Sequence, residues 1–260
     1  MRILSIDSSL GTQLAVVDTA EAVDAADTDS ATGRRALQVL SQAELADTRR
    51  HAESLGQMLS ESLSAPDVAD CPLDAVVAAI GPAPFTGLRA GLVTAEVVGR
   101  TRGIPVHGVS SLDAVARRAL DELGAHGVER APVVLVATDA RRREVYGALF
   151  RANGPDDVTR LTEISVCPPA QVAERVAEQA PGQVGADGNV DVVAGSGVAL
   201  YPELAELASC HEVLAPVSGD ALTQVRIALA RLDRGEELGT KPLYLRHADV
   251  QVPAARKRVR

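Results

Sequence analysis

Aromatic side chains are nearly absent: the chain of 260 residues has five, Phe85, Tyr146, Phe150, Tyr201 and Tyr244, and no tryptophan. Rings on which nucleobases stack are therefore scarce, and a core has to be filled by Val, Leu, Ile and Ala. Basic charge is also short. Lys and Arg number 26 against 35 Asp and Glu, a formal charge of −9, and such a surface repels a phosphate backbone. Direct, independent RNA binding is disfavoured. The one basic run, Arg256, Lys257, Arg258 and Arg260, reads as a solvated tail, with an electrostatic arm as the alternative. Cys71, Cys167 and Cys210 are odd in number and far apart, which argues against a disulfide framework or a zinc knuckle and for a reducing compartment. No stretch reaches the roughly 20 apolar residues of a membrane span, and MRILSIDSS lacks the apolar core of a signal peptide. A cytoplasmic location without membrane partners is the expectation.

What is present suits two α/β lobes, since a hydrophobic content of 46% allows a sizeable core. The spacing predicts strands over Arg2 to Asp7 and Gln13 to Asp18, with a Ser- and Gly-rich turn around Gly11 between them. From Ala20 to Thr32 large apolar side chains almost vanish, which predicts an exposed acidic loop of unread role. A strand over Arg35 to Ser41 precedes a helix capped at Asp47 or Thr48 and running to Leu63. LDAVVAAIGP reads as a buried strand entering a turn at Gly81 and Pro82; a helix over Thr86 to Thr101 and a strand over Ile104 to Val109 follow. Ser110 with Asp113 resembles a capping box for a helix ending at Gly124. A second cycle then begins. APVVLVATDARRREVYGALF repeats strand, Asp and returning strand, with Asp139 in the place of Asp7, and DVVAGSGVAL echoes AVVAAIGP. The expected organisation is a first lobe over residues 1–109, a second over 110–218, a helix over 219–235 returning to the first, and a C-terminal segment with the basic tail over 236–260.

Four stretches carry a resemblance. GPAPFTGLRAGL, from Gly81 to Leu92, resembles the GPGSFTGLRIG signature of the TsaB family, through Gly81, Pro82, Phe85, Thr86, Gly87, Leu88, Arg89 and Gly91. ILSIDSS, TDARRREVYGALF and PLYLRHAD agree with the family in order and spacing, so that the match spans nearly the whole chain. The resemblance implies the two-lobed actin, hexokinase and sugar-kinase (ASKHA) superfold. It also implies a partnership with TsaD, the catalytic paralogue that makes N6-threonylcarbamoyladenosine at position 37 of tRNA, with TsaE as an assisting ATPase. In that complex ATP is used and tRNA is met indirectly; no cofactor is expected for this chain alone. The family's partner contact is a bundle of the first lobe's two helices, here Thr48 to Leu63 and Thr86 to Thr101.

An ATPase of this superfold needs an Asp and bare backbone amides at two phosphate hairpins. The first hairpin keeps Asp7, Ser8, Ser9 and Gly11. In the second, Asp139 is followed by Ala140, Arg141, Arg142 and Arg143 where the superfamily has a glycine pair. Those arginines read as surface pairing beside Glu144, or else as an anion site. Gly195 and Gly197, flanking Ser196, make a tight turn or touch an adenosine. Asp7, Ser8, Ser9, Asp139, Gly195 and Gly197 are thus the candidate vestigial nucleotide contacts. The histidine pair H-x-x-x-H of the catalytic relatives is not kept, because Leu55 stands four residues after His51, and no metal ligands or catalytic residues are assigned.

In the signature loop Ala83 and Pro84 replace the family's Gly and Ser, which favours packing over anion binding. Thr86 reads as the N-cap of the following helix, with Leu88, Leu92, Val93, Val97 and Val98 turned inward. That leaves Ala90, Gly91, Ala95 and Gly99 as a smooth surface which, with Leu55, Leu59 and Leu63, is the expected partner interface. An exposed apolar helix pair tends to self-associate, so a homodimer of the free chain stays open. The competing reading is a small-metabolite kinase or ATPase of the same superfold.

Overall fold

The computed structural model describes residues 1–19, 28–29, 34–46, 51–69, 71–125, 132–185, 189–209 and 217–245. Most of the acidic loop, Asp47 and Thr48, the side chain of His51, Cys210 and the basic tail lie outside them. The first sheet has the order β3-β2-β1-β4-β5, formed by Arg2–Asp7 (β1), Thr12–Asp18 (β2), Gln38–Leu45 (β3), Ala75–Ala79 (β4) and Val106–Val109 (β5). β1, β2 and β3 form an antiparallel meander, while β4 lies parallel to β1 and β5 parallel to β4. Two long helices belong to this lobe, α1 over His51–Leu63 and α2 over Phe85–Arg102, with a single helical turn over Pro66–Ala69 between them.

Both faces of that sheet are covered, which is why β1 and β4 read as nearly unbroken apolar runs. Leu4, Ile6, Val76 and Ala78 point to one side and meet Leu55 of α1 and Leu92, Ala95 and Val98 of α2. Ile3, Val17, Ala75 and Val77 point to the other. There they meet Val225, Ile227, Ala228 and Leu229, so the last helix does pack against the first sheet.

After α3 (Ser111–Ala125), the second sheet has the order β8-β7-β6-β10, from Val133–Asp139 (β6), Val145–Asn153 (β7), Asp157–Arg160 (β8) and Val192–Ala194 (β10), with Ser165–Cys167 (β9) also pairing with β7. The connectivity repeats the first lobe's opening. β6 and β7 are an antiparallel hairpin and β10 runs parallel to β6, as β4 does to β1. Leu112, Ala116, Ala119 and Leu123 of α3 cover one face with Val134, Val136 and Phe150, and Val172 and Val176 of α4 (Val172–Gln179) cover the other. A short α5 (Ser196–Leu200) follows β10, and α6 (Ala221–Asp233) closes the chain's return.

Two helix ends differ from expectation. α2 begins at Phe85 behind Pro84, with no side-chain cap, so Thr86 sits inside the first turn and is not the N-cap. α3 runs one residue past Gly124, which is therefore not its stop. Two other ends are closed by local chemistry: Asp220 caps α6 by accepting from the Thr223 N–H at 2.6 Å, and Gly103 ends α2 at φ 67° with its N–H on the Gly99 carbonyl.

Candidate functional site

The two hairpins face each other across the gap between the lobes. At the β1–β2 turn, Asp7 is fully buried, and desolvation pushes its pKa up against the lowering effect of its hydrogen bonds. One carboxylate oxygen accepts from the Ser9 N–H at 2.7 Å and the other from Gln224 Nε2 of α6 at 2.6 Å. Ser8 is likewise occupied. Its hydroxyl donates to the Gly87 carbonyl at 2.7 Å and accepts from the Gly91 N–H at 3.0 Å, which stitches the hairpin to the first turns of α2.

At the β6–β7 turn the Asp139 carboxylate accepts from the Arg141 N–H at 2.8 Å and pairs with the Arg141 guanidinium at 3.2 Å. Arg141, Arg142 and Arg143 take φ of 64°, 55° and 59°, three left-handed residues in succession where glycine would be unstrained. Each such residue costs about 1 kcal/mol, and the turn is held by Ala140 and Glu144, whose N–H groups donate to the carbonyls of Glu144 and Arg141. So the backbone of a glycine turn survives with arginine side chains on it. Gly195 and Gly197 are accounted for by packing, since an added Cβ would stand 2.4 Å and 2.7 Å from the Ala137 carbonyl oxygen of β6.

Between the hairpins lies a cavity of about 480 Å³. Of the residues read as nucleotide contacts, Ser9 and Asp139 line it, together with Arg141 and Ser196. Asp7, Ser8, Gly195 and Gly197 sit behind its wall. The signature loop divides three ways: Pro82, Thr86 and Gly87 line the cavity, Gly81, Leu88 and Gly91 are buried, and Phe85 and Arg89 face outward. Among the described residues no cluster of three or more His, Cys, Asp or Glu side chains could hold a metal. Leu55, in the second position of the relatives' histidine pair, is part of the first-lobe core.

The outward face of α2 is not the expected one. Gly91, Ala95 and Gly99 are buried against the sheet, where a Cβ on Gly91 would lie 2.2 Å from Ser8 Oγ and one on Gly99 2.3 Å from a Val106 methyl. Ala90 is only half-exposed, and Leu55, Leu59 and Leu63 of α1 turn toward the core. Small residues here let the helix approach its own sheet, not a neighbour. Val93 and Val97, expected inside, are instead 54% and 57% exposed, and with Phe85, Arg89, Glu96 and Arg100 they form the outer stripe. The spacing 85, 89, 93, 97, 100 carries that stripe as plainly as 88, 92, 95, 98 carries the inner one.

Comparison with known proteins gives four findings. A family model described as TsaD, tRNA N6-adenosine threonylcarbamoyltransferase, matches residues 38–233. The tRNA threonylcarbamoyladenosine biosynthesis protein TsaB of Escherichia coli is 28% identical over 206 residues, 76% of this chain and 82% of that protein. An uncharacterised protein of Mycobacterium leprae is 42% identical over 129 residues, and the match spans only 46% of this chain and 33% of that protein. Among solved structures, YeaZ from Pseudomonas aeruginosa superposes with a TM-score of 0.67 at 26% identity, covering 94% of this chain and 99% of that one.

Proposed function

The chain belongs to the TsaD family, in its TsaB (YeaZ) branch, and on that premise we propose that it is a non-catalytic subunit that binds and activates a TsaD-type enzyme for N6-threonylcarbamoyladenosine formation at A37 of tRNA. The observation that carries the partner role is the outer stripe of α2. Phe85, Val93 and Val97 stand on a rigid helix with roughly half of each side chain in solvent, which gains nothing for the isolated lobe and suits a helix–helix contact. The partner interface therefore lies on Phe85, Arg89, Val93, Glu96 and Val97, replacing the small-residue face.

The absence of a chemical role is supported by the hairpins. Asp7 and Asp139 spend their carboxylates on protein donors, and arginine side chains cover the second phosphate turn. ATP is then used by the other members of the complex, TsaD and the TsaE ATPase, and tRNA is met through TsaD, as a charge of −9 on this chain favours. A cytoplasmic setting suits Cys71 and Cys167, both unpaired, and no helix among the described residues is long and apolar enough to cross a membrane.

The test is co-purification with the TsaD of the same organism, followed by threonylcarbamoyl transfer to tRNA with and without this chain. A stable complex whose activity requires the chain is expected; transfer indifferent to it overturns the reading. The 480 Å³ cavity between the hairpins motivates the rival kinase or ATPase. Micromolar nucleotide binding with magnesium, plus hydrolysis by the chain alone, would establish that rival instead.

A further inference from the structure

The cavity between the hairpins offers more hydrogen-bonding capacity than the protein itself uses. Ser111, on the first turn of α3, is only 4% exposed and lines the cavity, yet its Oγ has no hydrogen-bond partner among the described residues. The buried Thr138 Oγ1, at the end of β6, lines the same cavity and is equally without a partner. Ser196 accepts from the Asp139 N–H at 3.0 Å through its oxygen, which leaves its proton to donate. Buried polar groups are nearly always paired, so two unpaired hydroxyls in one cavity call for an acceptor supplied from outside the chain. Ser111 also stands at the N-terminal end of a 15-residue helix, where negative charge is favoured, and the one acidic side chain of that turn, Asp113, is turned to Arg231 at 2.8 Å.

An ion pair is placed in the same cavity. Asp139 and Arg141 both line it and meet at 3.2 Å, with the Arg141 side chain 57% exposed. One Asp139 oxygen accepts from the Arg141 N–H and the other faces the guanidinium, so each keeps a lone pair, and the guanidinium keeps N–H groups of its own. Much of the remaining wall is apolar, with Leu10 from the first lobe and Val115 and Leu200 from the second. A volume of about 480 Å³ suits a compact molecule.

We infer that this cavity binds a free α-amino acid with a bulky apolar side chain. Its carboxylate accepts from Arg141 and the unpaired hydroxyls, its ammonium donates to Asp139, and its side chain lies against Leu10, Val115 and Leu200. The class follows from the charges. A plain carboxylate gains Arg141 but meets Asp139, and a plain amine gains Asp139 but meets Arg141; a zwitterion satisfies both and adds no net charge to the site. A nucleoside triphosphate brings several negative charges to one guanidinium that already has a carboxylate beside it, and among the described residues no acidic cluster could hold its metal. None of Phe85, Val93 and Val97 lines the cavity, so the site is separate from the outer face of α2 and does not depend on the partner role proposed above.

The experiment is isothermal titration and thermal melting of the full chain with L-leucine and L-phenylalanine, with leucinamide, which lacks the carboxylate, with α-hydroxyisocaproate, which lacks the ammonium, and with ATP and magnesium. Saturable binding of at least one amino acid is expected, raising Tm by about 5 °C or more at roughly a hundredfold excess over Kd. Each analogue should bind at least about tenfold more weakly, and Arg141→Gln and Asp139→Asn should each weaken amino-acid binding by about tenfold, the loss of one charged hydrogen bond. Ser111→Ala removes a hydroxyl that the fold does not use, so it should weaken binding while leaving the Tm of the free chain unchanged. Because Asp139 also holds its turn, the second block is Leu200→Trp, which fills the cavity from an exposed position outside the hairpin and should abolish binding in a chain shown by circular dichroism to be folded. No binding of either amino acid up to its solubility overturns the proposal. Equal binding of the hydroxy acid or of leucinamide removes Asp139 or Arg141 from the site and overturns the zwitterion, and binding that survives Leu200→Trp puts the ligand elsewhere. Binding of ATP alone, lost in Leu200→Trp, gives the cavity to a nucleotide instead.

Discussion

Asp7 is the residue on which the two functional readings part most sharply. In a nucleotide-hydrolysing relative its charge would be the point of the residue; here desolvation by burial raises its pKa, so ionisation is opposed by its surroundings. A carboxylate whose folded pKa is raised contributes stability that is fully present below the ordinary aspartate pKa and is lost as pH rises through the raised value. Removing the charge should therefore not harm the fold at neutral pH. Gln224 already donates to Asp7 through Nε2 while its own Oε1 has no donor, and a rotated amide would let Oε1 accept from an asparagine side chain. Asp7→Asn is expected to keep or raise Tm at pH 7.5, by up to about 2–4 °C, the shift that ~1 kcal/mol produces in a chain of this size. The difference should shrink toward pH 4, and transfer activity of the complex should be retained. A fall in Tm at pH 7.5, with loss of activity, would mean the charge is required and would revive the enzyme reading.

Among the elements, α2 has opposite duties on its two faces, and substitutions on them separate stability from binding. On the inner face, Gly91→Ala forces a methyl against Ser8 Oγ and breaks the hydroxyl's two hydrogen bonds, an overpacking expected to cost about 2 kcal/mol in chemical denaturation. On the outer face, Val93→Glu with Val97→Glu should change stability by less than about 0.5 kcal/mol and abolish the complex with TsaD. Equal binding by that double variant would remove α2 from the interface. Although Thr86 and Gly124 misplace two helix ends, the elements themselves are legible in the sequence because their signals are local, as in the apolar run of β1. The orientation of α2 is not. Both of its stripes carry valine, so the apolar positions alone cannot rank them, and what decides is whether Gly91 clears Ser8, far away in the chain, and Gly99 clears Val106 of the neighbouring strand. The sites fare likewise: Asp139 can be placed at the cavity from its motif, whereas the Tyr244 ring joins that of Phe85 only through the irregular stretch after α6, which has no periodicity to read.

At the scale of the whole molecule, the two lobes are joined by charge as well as by chain. The apolar face of α6 belongs to the first sheet, but its arginines reach the turn between β7 and β8 in the second lobe: Arg226 meets Asp156 at 2.8 Å and Asp121 of α3 at 2.7 Å, and Arg231 meets Asp157 at 2.9 Å and Asp113 at 2.8 Å. Arg234 also pairs with Asp157, and Arg117 donates to the carbonyls of Gly154 and Asp157. Nothing in sequence spacing announces this network, because its members are scattered between residues 113 and 234. Asp157 is its centre, with a side chain only 1% exposed, so the arginines around it are partly desolvated and depend on it. Such a network fixes the angle between the lobes, which suits a subunit that presents a rigid face and opposes the closing motion that turnover of a nucleotide requires. Deleting one member of a buried charge cluster leaves the others uncompensated, at about 3–5 kcal/mol. Asp157→Ala should accordingly lower Tm by at least roughly 6 °C at 2–4 °C per kcal/mol. Since each lobe keeps its own sheet and core, calorimetry should show the single transition of the unaltered chain broadening or splitting into two. A single transition at an unchanged Tm would mean that the apolar contacts of α6 hold the lobes together and that the arginines are incidental.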